Sequence, residues 1–172
     1  NIDHDWIIRM LEQRIDDRRF LGLIRKWLKA GILEEDGKVL YPVTGTPQGG
    51  VISAVLANIY LHFGLDLWFD RVVRRDCRGD VMMTRFADDF VCCFQYADDA
   101  NRFHAALGPR LGKFGLTLAT EKTKLIRFTR FETEGGETFD FLGFTYRWDR
   151  SRKGKPLVRM ATCSKKFKAS LK

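Results

Sequence analysis

A chain of 172 residues with 45% hydrophobic side chains is long enough to bury a core, which excludes a disordered or fibrous protein. No apolar run reaches the roughly 20 residues of a membrane span, because Asn58, His62 and Asp66 interrupt the longest one. We find no targeting segment and expect a cytoplasmic protein with buried, reduced thiols, since its cysteines lack zinc-site spacing. The cysteines are Cys77, Cys92, Cys93 and Cys163.

The net charge of +8 is concentrated near the end of the chain. Residues 147–172 carry ten Lys or Arg and one acid, Asp149, whereas the other residues hold 20 basic and 21 acidic side chains. Aromatic side chains lie within or beside this basic segment, which favours nucleic-acid binding over a merely solvated surface. The side chains expected along the nucleic-acid backbone include Arg147, Arg152, Lys153 and Lys155.

The chain begins with two predicted helices in residues 1–31. Asp3 or Asp5 can cap the first helix, and Asp16 or Asp17 can cap the second, which should stop at Gly31. A turn sequence at residues 35–38, between two apolar pairs, then predicts a β-hairpin.

A glycine-rich loop at residues 44–50 precedes the next helix. Its backbone can approach a ligand closely, and the following helix offers free N–H groups to a phosphate, although such loops are common. The helix begins at Val51 and is apolar nearly all round, so we expect it to be buried. A polar stretch from Arg71 to Asp80 is interpreted as a connection.

Residues 81–95 read as a second β-hairpin, in which two apolar runs flank Ala87, Asp88 and Asp89. We expect the strands to be largely buried and both carboxylates to lie at the tip. Adjacent carboxylates near a core of low dielectric constant repel each other and lose hydration, and a hard cation such as Mg²⁺ would compensate. The alternative is ordinary turn chemistry, for which Asp is a common residue.

The same four-residue pattern recurs ten positions later, at residues 96–99, and provides an internal control. Apolar residues at helical spacing follow this second copy, and Gly115 fits the position after a helix end. We therefore interpret Asp98 and Asp99 as the N-cap and first turn of a helix. The chemistry is assigned to the first pair.

The last third of the chain contains an alternating pattern from Leu142 to Trp148, which predicts a strand with one aromatic face. A charged turn at residues 149–155 and a short strand from Leu157 follow. Residues 164–172 resemble the start of a helix. No repeat or low-complexity tract interrupts the order, so we expect one domain.

Five segments, in this order and spacing, resemble the palm motifs of reverse transcriptases. The residues of these segments are most similar to those of the reverse transcriptases (maturases) encoded by bacterial group II introns. The resemblance covers essentially the whole chain. Two residues depart from the family's usual pattern, Ala54 in place of a proline and Phe86 in place of a tyrosine. The segments are residues 46–53, 58–61, 85–89, 121–123 and 141–144.

This resemblance implies an α+β fold, the reverse-transcriptase palm, with an antiparallel sheet and helices packed on one face. Residues 1–163 would form the palm, and residues 164–172 would begin a thumb helix. The implied activity is RNA-directed DNA polymerisation with two Mg²⁺ ions that activate the primer 3′-hydroxyl and steady the leaving pyrophosphate. The implied partners are an RNA template, a DNA primer, deoxynucleoside triphosphates and intron RNA, without a membrane.

The resemblance also assigns roles to individual residues. Asp88 is the expected metal ligand, and Asp89 is a second ligand or its support. Lys122 would stabilise phosphate charge or donate a proton. The segment expected to hold the primer end consists of Phe141, Leu142 and Gly143. The residues expected at the nucleotide and template are Gln48, Gly49, Arg85 and Phe86.

A third catalytic aspartate of this family lies upstream of the segment that resembles residues 1–4. We therefore expect a fragment without that aspartate, the fingers or most of the thumb, and we expect it to be inactive by itself. Two alternatives stay open: a reverse transcriptase of another bacterial lineage (retron, diversity-generating or CRISPR-linked), and a non-catalytic RNA-binding splicing module. The intact Asp88–Asp89 pair argues against the second.

Overall fold

The computed structural model describes residues 2–30, 32–33, 39–40, 51–133 and 135–163, with only the backbone at residues 32, 33, 39, 40 and 51. Helices and antiparallel strands both occur, which confirms the α+β prediction. The helices are α1 (His4–Glu12), α2 (Arg18–Lys29), α3 (Val51–Leu61), α4 (Arg74–Asp76) and α5 (Ala97–Gly112). The strands are β1 (Ile32–Leu33), β2 (Val39–Leu40), β3 (Val81–Phe86), β4 (Asp89–Phe94), β5 (Phe139–Phe141), β6 (Phe144–Arg150) and β7 (Pro156–Thr162).

The N-caps of α1 and α2 are Asp3 and Asp17. The sequence offered two candidate caps for each helix, and these are one of each pair. The Asp3 carboxylate accepts the backbone N–H groups of Asp5 and Trp6 at 2.9 and 2.8 Å. Asp17 does the same at the start of α2, at 2.8 and 3.0 Å. Each carboxylate therefore satisfies free N–H groups at a helix start. The predicted stop at Gly31 lies outside the described residues, and α2 ends at Lys29.

Residues 51–76 form one long helix in which α3 and α4 are joined through two π-helical turns, His62–Asp66 and Phe69–Val73. The predicted burial all round is wrong, because the helix packs through one face and Val55 on another face is 55% exposed. The connection predicted from Arg71 is also wrong, since the helix continues to Asp76. The buried residues of the long helix are Leu56, Tyr60, Gly64, Leu65, Phe69 and Val73.

The π turns explain how residues so far apart in sequence share one face. Tyr60 and Val73 are thirteen residues apart, and a regular α-helix would place them about 140° apart. Each π turn takes up one extra residue, since the N–H of Leu67 donates to the carbonyl of His62 five residues earlier. Two such turns bring Tyr60 and Val73 to within about 20° of each other.

Residues 52–76 are also long and apolar enough to cross a membrane, by length and composition alone. Core helices of soluble proteins pass the same test, and here Tyr60, Leu65 and Phe69 are buried by other parts of the chain. We therefore interpret the long helix as a core element.

Arg110 in α5 holds the first π turn. Its guanidinium donates to the carbonyls of Gly64 and Phe63, at 2.9 and 3.3 Å, and lies 4.8 Å from the centre of the Phe114 ring. The N–H of Leu116 donates to the carbonyl of Leu111, and the N–H of Gly115 to that of Gly112. With a φ of +66° at Gly115, this is the glycine-terminated helix end that the sequence predicted.

The described strands form three antiparallel sheets, β1–β2, β3–β4 and β5–β6–β7. In the third sheet Phe141 pairs with Phe144, and Phe144 pairs with Thr162. The rings of Phe139 and Tyr146 stack at 5.1 Å, and Phe128 packs against Trp148 at 5.7 Å between ring centres. The aromatic face predicted for β6 is thus confirmed. The packing of helices on one face of a single sheet stays a prediction.

The chain divides into two compact units. The first unit comprises residues 1–83 and 92–120, and the second comprises residues 84–91 and 121–172. The first holds the helical core, and the second holds the β3–β4 tip and the three-stranded sheet. The predicted end of the palm at residue 163 stays a prediction, because residues 164–172 lie outside the described part.

Candidate functional site

The tip of the β3–β4 hairpin presents the first acidic pair. Ala87 and Asp88 form the two-residue turn, and Asp89 is the first residue of β4. The second acidic pair lies instead in the first turn of α5. The predicted contrast between Asp88–Asp89 at a hairpin tip and Asp98–Asp99 in a helix is therefore confirmed.

The expected burial of this hairpin is wrong. Along β3, half-buried and exposed side chains alternate, and Phe86 next to the turn is 65% exposed. Asp88 and Asp89 are both exposed. What would attract a cation here is two negative charges on adjacent, exposed residues.

The turn at the tip is held in an uncommon backbone conformation. Ala87 has a φ of +53°, in the left-handed region that costs a residue with a Cβ roughly 1–2 kcal/mol. The guanidinium of Arg85 folds back and donates to the carbonyl of Ala87 at 2.7 Å. Arg85, predicted to contact nucleotide or template, thus has a structural contact that the sequence did not reveal.

A second hairpin tip also contains a non-glycine residue with a positive φ. Leu142 and Gly143 join β5 to β6, and their φ values of +51° and +85° define a type I′ turn. The sequence interpretation placed Leu142 in a strand, which is wrong because it occupies this turn. A two-residue connection ending in glycine, between alternating segments, is the signal that would have revealed it.

Both tips open onto one cleft in the second unit. The cleft has a volume of about 410 Å³ and is lined by Phe86, Ala87, Asp88, Asp89 and Leu142. It therefore joins the predicted metal ligands to one predicted nucleotide residue and one predicted primer residue. Two left-handed non-glycine residues at one cleft fit the tendency of functional sites to store backbone strain.

The Leu142–Gly143 turn is held by contacts with residues that the sequence analysis did not single out. The N–H of Cys163 donates to the carbonyl of Gly143 at 2.9 Å. Its thiol contacts the Asp140 carboxylate at 3.4 Å, and the Thr145 hydroxyl donates to that carboxylate as well. Cys163 follows β7, so no local pattern near residue 143 could have indicated this contact.

Of the remaining predicted residues, those that the structure describes do not line this cleft. Lys122 is exposed in a turn, and Phe141 lies in β5 outside the lining. Gln48 and Gly49 lie outside the described residues. Arg147 pairs with Asp149 at 3.6 Å. The turn residues Arg152, Lys153 and Lys155 are exposed and join no ion pair among the residues the structure describes.

The cleft provides only part of the ligands that a magnesium site needs. Across residues 2–30, 51–133 and 135–163, no three His, Cys, Asp or Glu side chains are grouped to hold an ion. Asp88 and Asp89 could supply two carboxylates, and Mg²⁺ commonly takes one or two from a protein and completes its shell with water and phosphate oxygens. The pair is thus consistent with Mg²⁺ in the presence of a nucleotide.

Asp99, in the repeated motif, has a structural role. It is 2% exposed, and its carboxylate accepts from the Arg102 guanidinium at 2.7 Å and from the N–H groups of Arg78 and Gly79. Burial raises the pKa of Asp99, but these hydrogen bonds outweigh it and hold the pKa below the ordinary value. The predicted N-cap is wrong, since the capping residue of α5 is Tyr96.

Comparisons with known proteins agree with the motif order. A family model described as reverse transcriptase (RNA-dependent DNA polymerase) matches residues 1–146. The Group II intron-encoded protein LtrA of Lactococcus lactis subsp. cremoris is 48% identical over 62 residues, which is 36% of this chain and 10% of that protein. The uncharacterized 91 kDa protein in cob intron of Schizosaccharomyces pombe is 52% identical over 62 residues, 36% of this chain and 8% of that protein.

A further relative aligns over more of the chain. Protein YkfC of Escherichia coli K12 is 30% identical over 185 aligned positions, which covers 91% of this chain and 46% of that protein. The chain thus spans about a tenth of the two intron proteins and under half of YkfC.

Proposed function

Because the chain belongs to the reverse transcriptase (RNA-dependent DNA polymerase) family, we propose that it supplies the catalytic palm of an RNA-directed DNA polymerase encoded by a group II intron. One observation carries the proposal. Asp88 and Asp89 stand at a hairpin tip and open onto a cleft that also contains Phe86 and Leu142. These residues come from the two motifs expected to hold metal and primer. The names of intron-encoded relatives support the intron origin.

The roles follow from chemistry. Asp88 and Asp89 would hold Mg²⁺, which would lower the barrier to attack by the primer 3′-hydroxyl and neutralise phosphate charge. Phe86, exposed beside the pair, provides a flat apolar surface against the base or sugar of a nucleotide. Leu142 orients the primer end from the second tip. The Arg85–Ala87 contact holds the turn, so both carboxylates need little reorganisation when substrate arrives.

Lys122, Gln48 and Gly49 complete the proposal. Lys122 neutralises phosphate charge or donates a proton, and Gln48 and Gly49 line the incoming nucleotide and template. The partners are an RNA template, a DNA primer, deoxynucleoside triphosphates and intron RNA, without a membrane. The relatives come from fungi and bacteria, so a bacterial cytoplasmic location stays a prediction.

The test is primer extension by the protein as its gene encodes it, on an RNA template with Mg²⁺ and all four deoxynucleotides. Asp88→Asn should reduce extension at least 100-fold, because the neutral amide is a weaker ligand and removes one charge. Asp98→Asn is the matched control, since it makes the same change in the repeated motif, at a carboxylate that is 78% exposed and pairs only with Arg78 among the described residues. It should retain extension within about twofold.

The outcomes separate this proposal from its alternatives. Extension that survives in both Asp88→Asn and Asp89→Asn would show that the catalytic carboxylates lie elsewhere. A wild-type protein that binds intron RNA but never extends a primer would favour the non-catalytic splicing module. Extension of primers on templates unrelated to any intron, without recognition of intron RNA, would favour another lineage of reverse transcriptase.

A further inference from the structure

Helix α2 concentrates positive charge that forms no ion pair within the described part of the chain. Its twelve residues include five Arg or Lys and no acidic residue. All five are exposed, and none joins an ion pair among the described residues, whereas Arg74, Arg78 and Arg102 elsewhere in the first unit are paired. The five residues are Arg18, Arg19, Arg25, Lys26 and Lys29.

The same helix exposes large apolar side chains. It buries only Leu21, Ile24 and Leu28, which form a narrow stripe against the core. Phe20, Leu23 and Trp27 are 43%, 42% and 41% exposed. At 100° per residue these three form a second stripe beside the buried one, and Arg19 and Lys26 come next around the helix. The aromatic rings therefore lie beside two of the five cations, Arg19 and Lys26, on one surface.

We propose that this surface of α2 binds a single-stranded segment of RNA. Bases stack on the rings of Phe20 and Trp27, and phosphates contact Arg19 and Lys26. Phe20 and Trp27 are seven residues apart, about 10.5 Å along the helix axis, which is roughly three times the 3.4 Å spacing of charges along one strand. Two non-adjacent bases of one strand can thus reach both rings.

Charge decides between RNA and a protein partner. A protein laid on this face would have to supply carboxylates opposite Arg19 and Lys26, whereas every nucleotide of RNA brings a phosphate. Base pairing in a duplex would hide the faces that stack, so the aromatic stripe favours an unpaired strand. This surface belongs to the first unit, and the proposal does not depend on the chemistry assigned to Asp88 and Asp89.

The test measures binding of a fluorescent twelve-nucleotide oligouridylate to the 172-residue chain by anisotropy, over a series of salt concentrations. Trp27→Ala and Phe20→Ala should each weaken binding at least fivefold and leave the salt dependence unchanged, because stacking releases no counterions. Trp27→Phe should keep the affinity within about twofold, since a ring remains. Quenching of tryptophan fluorescence by the oligonucleotide should be reduced in Trp27→Phe.

The charge variant is Arg19→Gln combined with Lys26→Gln, which keeps good helix formers at both positions. The slope of log affinity against log salt should flatten by about 1.4, for two single-strand phosphate contacts. Arg71→Gln combined with Arg75→Gln removes the same charge from exposed positions of the long helix and should leave the slope unchanged. Circular dichroism verifies that each variant is folded.

Three results would overturn the proposal. Equal flattening by both charge pairs would mean that only net charge matters, and unchanged affinity in Trp27→Ala would remove the stacking surface. Self-association of the wild-type chain in sedimentation equilibrium, lost in Trp27→Ala while RNA binding persists, would identify the surface as a contact between copies. Loss of primer extension without change in any of these measurements would concern the polymerase proposal alone.

Discussion

Removing the hydroxyl of Tyr60 should destabilise the first unit without creating a cavity. The ring of Tyr60 is fully buried, and its hydroxyl donates to the carbonyl of Phe114 at 2.6 Å. The same oxygen lies 3.4 Å from the N–H of Asp3, so one atom joins the long helix to the segment after α5 and to the start of α1. Burial raises the pKa of Tyr60, so the hydroxyl stays protonated well above neutral pH.

The loss of unfolding free energy in Tyr60→Phe can be estimated from the groups that lose their hydrogen bond. Phenylalanine fills almost the same volume, so the loss is the hydrogen bond and a buried carbonyl without this partner, about 1–3 kcal/mol. The N–H of Asp3 contributes little, because 3.4 Å is a long hydrogen bond. We therefore expect a loss of about 2 kcal/mol, or a fall in Tm of about 4–8 °C at this chain length.

The assay is urea and thermal unfolding followed by circular dichroism at neutral pH. Tyr96→Phe is the matched control, because Tyr96 is half-exposed and its hydroxyl makes no hydrogen bond to the described part of the chain, while its ring keeps the contact with Arg78. A change below about 0.5 kcal/mol in Tyr60→Phe, or one equal to that of Tyr96→Phe, would refute the reasoning.

Two further predictions concern titrating groups. The lowered pKa of Asp99 means that its carboxylate stabilises the fold above the ordinary value of 3.8 and ceases to do so as pH falls through the folded pKa. The difference in urea midpoint between wild type and Asp99→Asn should therefore be largest near pH 7 and shrink below pH 4, and a constant difference would contradict this. Burial raises the pKa of Cys92 from 9.0 to about 12, which leaves about a thousandfold less thiolate at pH 8. Iodoacetamide should label Cys92 correspondingly slowly in peptide mapping by mass spectrometry, with Cys92→Ser to identify the peptide, and labelling at the rate of a free thiol would disprove the assignment.

Local signals in the sequence were sufficient where the structure depends on neighbouring residues. Asp3 and Asp17 cap helices because the N–H groups they accept are only two or three residues away. The tip at Asp88 follows from the two apolar runs that flank it. The glycine end of α5 follows from one residue, Gly115, whose positive φ no other residue type adopts as readily.

The predictions that failed depend on distant contacts. The pair Asp98 and Asp99 was interpreted as the N-cap and first turn of α5, and the first-turn position is right, but the N-cap is Tyr96. The partners of Asp99, Arg78 and Gly79, lie about twenty residues earlier, and only the folded chain brings them together. The burial of β3 and β4 was inferred from apolar composition, which does not state what covers a strand. The expected burial of the thiols is confirmed for Cys163 and is wrong for Cys93, which is exposed.

The conformation of the Leu142 turn shows a different limit of prediction from sequence. Its residues could be named from the resemblance, yet the left-handed φ at Leu142 is not a preference of leucine. It is imposed by the pairing of β5 with β6 and by Cys163 beyond β7. The metal-binding role of Asp88 and Asp89 stays a prediction.

The two π turns in the long helix change what a deletion does to this protein. Removing one residue within Val51–Leu61 would rotate everything that follows by about 100° and turn the buried face away from the core. Removing one residue within His62–Asp66 would instead convert a π turn into an α turn and leave both flanking faces where they are. The helix can therefore lose a residue at this point during evolution or engineering, and the guanidinium of Arg110 would then face carbonyls already bonded within the helix. Alignments of relatives should show single-residue gaps here and not in α3.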